Sequence, residues 1–329
     1  MTWTQDRFTL RAVNRREFLA RSSLFAAAGL LGRPRAWAGT GPAAAPSAPV
    51  ASSGFHPLRR NVGVFIDRGG TIGWLVDPGA LAVVDTQFPD TALACLDGLP
   101  GRANRPIDVV LNTHHHADHT GGNPSFKPEC RTIVAQANVP NLQFEAARRA
   151  EASPRPQAWA TVDKQVFADT TFTDVWRREL GGEIVTAQFH GAAHTGGDAI
   201  ITFERANVVH MGDIVFNRMY PAIDRPGGAT IRGWIRVLGA AIQTYPADAI
   251  YVYGHGNPRF GITGSRSDLQ LQRDFLTALL ERVQRDISAG KSKAEIVAVE
   301  NFPGFPDLHT PLPNRLGLDL GAAYDELTS

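Results

Sequence analysis

One window of the chain constrains what the rest can fold into. Residues 114 to 119 read His-His-His-Ala-Asp-His and continue as Thr120-Gly121-Gly122. Four of the ten histidines fall there beside a carboxylate, a density of metal-ligand side chains that chance clustering explains poorly. The preceding Ile107-Asp108-Val109-Val110-Leu111 is the kind of short apolar run that makes a buried strand. The two glycines behind the window let the backbone turn tightly. Ligand-type side chains therefore leave a strand end on a rigid loop, and the fold has to bring them partners.

The chain before and after this window is built of short β-rich pieces. Asn61 to Ile66, Thr71 to Val76 and Ala80 to Asp85 are separated by the turn signals Arg68-Gly69-Gly70 and Asp77-Pro78-Gly79. A helix is expected over Thr91 to Leu99, with Asp90 as its cap. After the window come a strand at Thr132 to Val134, a helix from Ala135 to Glu151 and an extended stretch within 157–178. A second set of strands follows at Glu183 to Phe189, Ala199 to Phe203, Asn207 to Met211 and Ala249 to Tyr253, with a helix at Thr230 to Gln243. Two halves of this form suggest two sheets packed face to face with helices outside. Helices at Ser265 to Ser288, Lys293 to Val299 and Leu316 to Leu327 read as packing.

Each later strand end carries a ligand-type residue: His194 in His190-Gly191-Ala192-Ala193-His194, Asp213 in Met211-Gly212-Asp213, and His255 in Gly254-His255-Gly256. His114 and His116 are two apart, so on extended backbone they point the same way. With His194 they offer three nitrogens to one ion. Asp118 and His119, adjacent to one another, turn to a second ion with His255, and the Asp213 carboxylate is suited to bridge the two. Catalytic zinc sites have this kind of ligand set, with a position left open. Period two turns His115 the other way. His210, inside an apolar strand, reads as a core histidine, and His56 and His309 as surface residues. His190, Tyr220 and Arg225 are candidates for the substrate pocket, and one of Arg218, Tyr220, Arg225 and Arg232, in the segment after Asp213, for the clamp of an anionic substrate.

The succession His-x-His-x-Asp-His, His-Thr-x-Gly, Gly-Asp and Gly-His-Gly resembles the metallo-β-lactamase-fold hydrolase superfamily from about Asn61 to Gly256. The resemblance implies an αββα sandwich of the mixed α/β (α+β) class, with a helical C-terminal extension and the site at one end between the sheets. It also implies that Asp85 lies buried beside the metal loop and orients it. Asp213, where the zinc β-lactamases carry Cys or Ser, looks like the glyoxalase II, phosphodiesterase and lactonase-like branches. The implied chemistry is a metal-bridging hydroxide acting on an ester, lactam, thioester, phosphoester or sulfoester, with Asp118 holding it and shuttling its proton. Two zinc ions are expected, with iron or manganese as alternatives. Other readings are an iron-dependent persulfide dioxygenase, a zinc β-lactamase, and a non-catalytic accessory protein of a periplasmic oxidation pathway.

The N-terminus reads as an address. Asn14-Arg15-Arg16-Glu17-Phe18-Leu19 is a twin-arginine pattern, Leu24 to Leu31 is a short apolar core, and Ala36-Trp37-Ala38 offers small residues for cleavage. That core is too short for a permanent membrane anchor. The expectation is a signal peptide over 1–38, a flexible linker over 39–60, a catalytic domain over 61–262 and a helical segment over 263–329 packing on the same domain. The expected destination is the periplasm or the exterior, reached through the twin-arginine machinery. Removal of 1–38 takes seven of 33 basic and two of 32 acidic side chains, leaving an acidic remainder with no excess for nucleic acid or anionic lipid. A small molecule is the expected partner. Cys95 and Cys130 alone make no disulfide framework, and no cysteine stands beside a histidine cluster.

Overall fold

The computed structural model describes residues 50–310 and 312–329, so the signal-peptide expectation and the first part of the linker lie outside it. The end of that linker needs correcting. Gly54–Arg59 is a strand, β1, paired antiparallel with β2 (Val62–Ile66). The Ile262 amide donates to the Val50 carbonyl at 2.8 Å. The alternation of Phe55 with His56 and of Pro57 with Leu58 was hidden by the Pro/Ala/Ser-rich residues before it.

β1 and β2 continue through β3 (Ile72–Asp77), β4 (Ala80–Val84), β5 (Val109–Leu111), β6 (Ile133–Gln136) and β7 (Thr170–Phe172) as one seven-stranded sheet in sequence order. Its first four strands form an antiparallel meander, and the last three are added in parallel. Parallel addition needs crossovers. They contain α1 (Pro89–Gly98), two short helices α2 (Ala117–Thr120) and α3 (Asn123–Phe126), and α4 (Val139–Glu151). The N-cap of α1 is Phe88, not Asp90, which pairs with Arg68 instead.

The second sheet is built from β8 (Val175–Leu180), β9 (Glu183–Phe189), β10 (Ala199–Phe203), β11 (Val208–His210), β13 (Ile250–Val252) and β15 (Thr263–Gly264). A small parallel pair, β12 (Phe216–Asn217) with β14 (His255–Gly256), stands apart. The helices on this side are α5 (Ile231–Thr244), α6 (Arg266–Ser288), α7 (Lys293–Val297) and α8 (Arg315–Thr328).

Strand periodicity sorts the side chains into layers. Ala82, Val84, Val109 and Leu111 from the first sheet meet Val185, Ala187, Ile201 and Val252 from the second in a dry central core. The alternate residues Leu81, Val83 and Val110 turn outward onto Ala92, Cys95 and Leu96 of α1. On the other side, Val209 and Tyr251 pack under α5, whose Trp234, Val237, Leu238 and Ala241 recur at helical spacing. Leu316, Leu320 and Ala323 of α8 belong to the same cluster. The order is helix, sheet, sheet, helix, and the C-terminal helices are part of the outer layer.

Candidate metal centre

β5 ends at Leu111, and the next residues carry the ligand cluster. His116 is the N-cap of α2, so Asp118 and His119 lie on a helical turn and not on extended loop. That turn lays the His119 ring beside His114, 4.2 Å between centroids, and turns Asp118 and His119 to His255. Two donor groups result, one of His114, His116, His194 and Asp213, the other of Asp118, His119 and His255. Asp213 reaches into both. Its Oδ1 is 3.1 Å from His119 Nε2, and its Oδ2 is 3.3 Å from His255 Nε2 and 3.5 Å from His194 Nε2.

Four of the imidazoles, His114, His116, His119 and His194, are aimed by their other nitrogen, the arrangement by which proteins orient metal-binding histidines. His119 Nδ1 donates to Asp85 Oδ2 at 2.7 Å. Asp85 also accepts from the Thr113 amide and from the Thr113 hydroxyl, both at 2.7 Å. With the hydroxyl proton so committed, His114 Nδ1 donates to Thr113 Oγ1 at 3.0 Å. Asp85 therefore orients one ring in each donor group, directly and through Thr113. It does so from a left-handed backbone, φ 63°, and with no exposed surface. His194 Nδ1 donates to the Ala222 carbonyl at 2.7 Å. His116 Nε2 donates to Asp224 Oδ2 at 2.9 Å.

These commitments test whether the residues suit a cation. His116 Nδ1 and His194 Nε2 face each other at 3.0 Å. Both rings have spent their proton elsewhere, so both nitrogens present lone pairs, an arrangement a shared cation resolves. His114 Nε2, His119 Nε2 and Asp213 Oδ1 are buried with no hydrogen-bond partner. Buried polar atoms left this way are costly, and here they all point into the two donor groups. The donor set, imidazole and carboxylate without thiolate, suits zinc, iron or manganese.

The electrostatics differ between the groups. Burial and neighbouring imidazoles keep His114 and His194 neutral, His194 down to about 3. Burial works against protonating His255 and His119, yet Asp213 and Asp118 overcome it, raising His255 to about 10 and His119 well above its ordinary range. Asp118 and Asp213 are held well below the carboxylate range, against their own burial, by His119 and His255. The floor of the site is closed. His116, Asp118 and His255 form its open side, with side chains 22%, 27% and 23% exposed.

The candidate pocket residues lie elsewhere. His190 is bonded to the Tyr245 hydroxyl at 2.9 Å beneath α5. Tyr220 packs edge-on against Phe275 in the helical layer and lines a separate cavity of about 390 Å³ with Val297 and Leu316. Arg225 donates to Glu326 and to the Ala229 carbonyl. Nearness in sequence to His194 and Asp213 suggested them, and the helical layer takes up all three. His115 is buried and turned to Asp224 at 3.5 Å; His210 bonds the Thr71 carbonyl. Asp224 is the functional residue that sequence reasoning missed. Its signal, an acidic residue in a Pro/Gly-rich turn eleven positions after Asp213, is indistinguishable from that of a turn former. Cys95 and Cys130 are free.

A four-layer sandwich with a two-lobed His/Asp site at one end defines a class. The profile of the metallo-β-lactamase superfamily matches residues 57–290, and the chain belongs to that superfamily, as a metal-site hydrolase. A stereoselective inverting sec-alkylsulfatase from a Pseudomonas species is similar in structure, with a TM-score of 0.63 at 18% identity over 83% of this chain and 50% of that one. A metallo-β-lactamase from Pontibacter korlensis gives a TM-score of 0.56 at 16% identity over 68% of this chain and 98% of that one. The hydroxyacylglutathione hydrolase of Rhodospirillum rubrum is 45% identical over 49 residues, 15% of this chain and 18% of that protein. The chain thus matches half of the sulfatase and less than a fifth of the glutathione thioester hydrolase.

Proposed function

We propose that the protein is an exported hydrolase that carries two zinc ions and cleaves a small ester-type substrate: a thioester, sulfate ester, phosphoester or lactam. The observation that carries this is Asp213, a buried carboxylate within reach of both donor groups. Such a carboxylate holds two cations close together, and one cation would leave half of these donors without a role. His114, His116 and His194 would hold one ion, Asp118, His119 and His255 the other, with Asp213 between them. When bound, the ions supply Lewis acidity and activated water.

The chain's own residues do the rest. Asp85 and Thr113 keep the rings of His119 and His114 fixed, so no reorganisation is needed as charge develops. The closed floor excludes water from beneath. His116, Asp118 and His255 mark the side from which substrate enters. Asp118 stands at that rim as an ionised carboxylate, placed to accept and return a proton. The substrate classes follow the sulfatase and the glutathione thioester hydrolase among the similar proteins. The twin-arginine pattern supports export to the periplasm or beyond, and the lack of a basic excess after residue 38 supports a small molecule as partner, with neither nucleic acid nor a membrane anchor.

The test is a panel of hydrolysis assays on zinc-loaded protein: an acyl-glutathione thioester, a secondary alkyl sulfate, a bis-aryl phosphodiester and a chromogenic cephalosporin. One class should turn over, with activity lost by at least about a hundredfold in His116→Ala. A protein that retained one iron per chain, took up no zinc and consumed oxygen with a persulfide would overturn the hydrolytic reading. Turnover of none of these classes by fully zinc-loaded enzyme would also count against it.

A further inference from the structure

The C-terminal helix reaches the metal centre through one side chain. Glu326 sits near the end of α8, 6% exposed. Its carboxylate accepts from the Ile231 amide at 2.7 Å, the Arg232 amide at 2.9 Å, the Thr230 hydroxyl at 3.3 Å and Arg225 Nη1 at 3.1 Å. The first two are the opening amides of α5, which have no partner inside their own helix. Thr230 supplies the ordinary cap by accepting from Gly233. A carboxylate at this end also meets the positive pole of the helix dipole. So far this is capping in trans.

The residues it grips are the two ends of the segment 225–232. Just before that segment lie both groups that aim His116 and His194. Asp224 accepts from His116, and the Ala222 carbonyl accepts from His194. The segment is stitched inward as well. Thr230 N donates to the Ala193 carbonyl at 3.1 Å, Gly196 N to the Gly227 carbonyl at 2.8 Å, and Gly227 N to Asp224 Oδ1 at 3.0 Å. His119, by contrast, is aimed by Asp85, which bonds no residue of the segment, and His255 Nε2 faces Asp118 and Asp213 at 3.0 and 3.3 Å.

We infer that Glu326 is a positioning residue for one half of the metal centre. It clamps the 225–232 segment so that Asp224 and Ala222 hold His116 and His194 at the lone-pair spacing a cation needs. The inference rests on the two-ion reading above, and it makes the C-terminal helix part of the site. Its signature is asymmetric: loosening the clamp weakens the His114/His116/His194 half and spares the Asp118/His119/His255 half.

Cobalt(II) titration of apo-protein, with chelator competition and proton NMR of the hyperfine-shifted ring N–H signals, reads each half separately. The comparison is of wild type with Glu326→Ala, Glu326→Gln and, as a control on the same helix, Asp325→Ala, whose native partner is Lys293. Glu326→Ala should weaken one of two cobalt sites by about tenfold, the lower end of what losing support behind a metal ligand costs. The His116 and His194 N–H signals should shift and the His119 signal should stay. Glu326→Gln should fall between, because it keeps one acceptor oxygen, and it carries the comparison if the alanine variant does not fold. Asp325→Ala should match wild type. Equal weakening of both sites, or no change in either, overturns the inference. A wild type that binds fewer than two cobalt ions overturns the two-ion reading instead.

Discussion

Asp85 accepts three hydrogen bonds from a backbone bent into the left-handed region, and the two halves of the centre meet in that residue. The halves nevertheless differ in charge. His194 and His114 are neutral, so a cation entering beside them displaces no proton. His119 and His255 are held protonated by Asp213 and Asp118, His255 to about 10, so a cation entering there must displace protons. The sign follows. A histidine with a raised pKa keeps its proton until the pH passes that value, and below it the metal competes with the proton. Affinity of this half should therefore fall as pH drops from 9 to 6, by about tenfold per pH unit for each proton displaced, while the other half stays nearly flat. Zinc titrations at pH 6, 7.5 and 9, with the released protons counted from calorimetry in buffers of different ionisation enthalpy, would measure this. Flat affinity in both halves would contradict it. The ligands themselves were legible in the sequence because four of them crowd into the window 114–119 and the others follow later strands at His194, Asp213 and His255. Their supports were not: Asp224, Thr113 and the Ala222 carbonyl are an acid in a turn, a threonine and a backbone atom, none of which carries a pattern.

Among the elements, α8 holds an anomaly two turns before its clamp, on the same buried face as Glu326. Asp319 is 1% exposed and neither carboxylate oxygen has a partner. Burial pushes its pKa well above the ordinary value, with Arg315 acting weakly the other way. In the unfolded chain this group ionises near 3.8; in the folded chain it keeps its proton to higher pH. The folded state thus binds more protons over that interval, and stability falls as pH rises through it. Asp319→Leu, which keeps the branched shape, removes both the pH-dependent loss and the unsatisfied oxygens. It should stabilise the protein by about 1–3 kcal/mol at pH 8 and by less at pH 5, measured by urea unfolding. A destabilised variant at both pH values would show that Asp319 has a partner in solution. Several longer elements were readable: Glu183–Phe189 and Ala199–Phe203 fall on their expected strand bounds, and α5 and α6 are displaced by one residue at their starts, whereas α4 begins at Val139 and not at the expected Ala135, which belongs to β6. β1 and the turn α2 were not, because a strand behind a Pro-rich lead and a four-residue helix carry too few periods to register.

For the whole molecule, the ligands arrive from segments spanning 114 to 255 and converge only when both sheets have closed on one another. No preformed site exists in the unfolded chain, so metal capture follows folding. That order would give the proposed leader a chemical meaning. The twin-arginine route carries proteins that have already folded, so a chain exported that way takes its metal in the cytoplasm, where availability and not raw affinity selects the ion. A chain threaded unfolded across the membrane would meet metal only outside, where the supply differs. Fusing residues 39–329 to a leader for unfolded export should therefore yield protein with less metal, or a different metal, than export under its own leader, by elemental analysis of both purified from the periplasm. The same fold in both, verified by circular dichroism, confines the difference to loading. Equal metal content and identity by the two routes would remove the reason for folding before export.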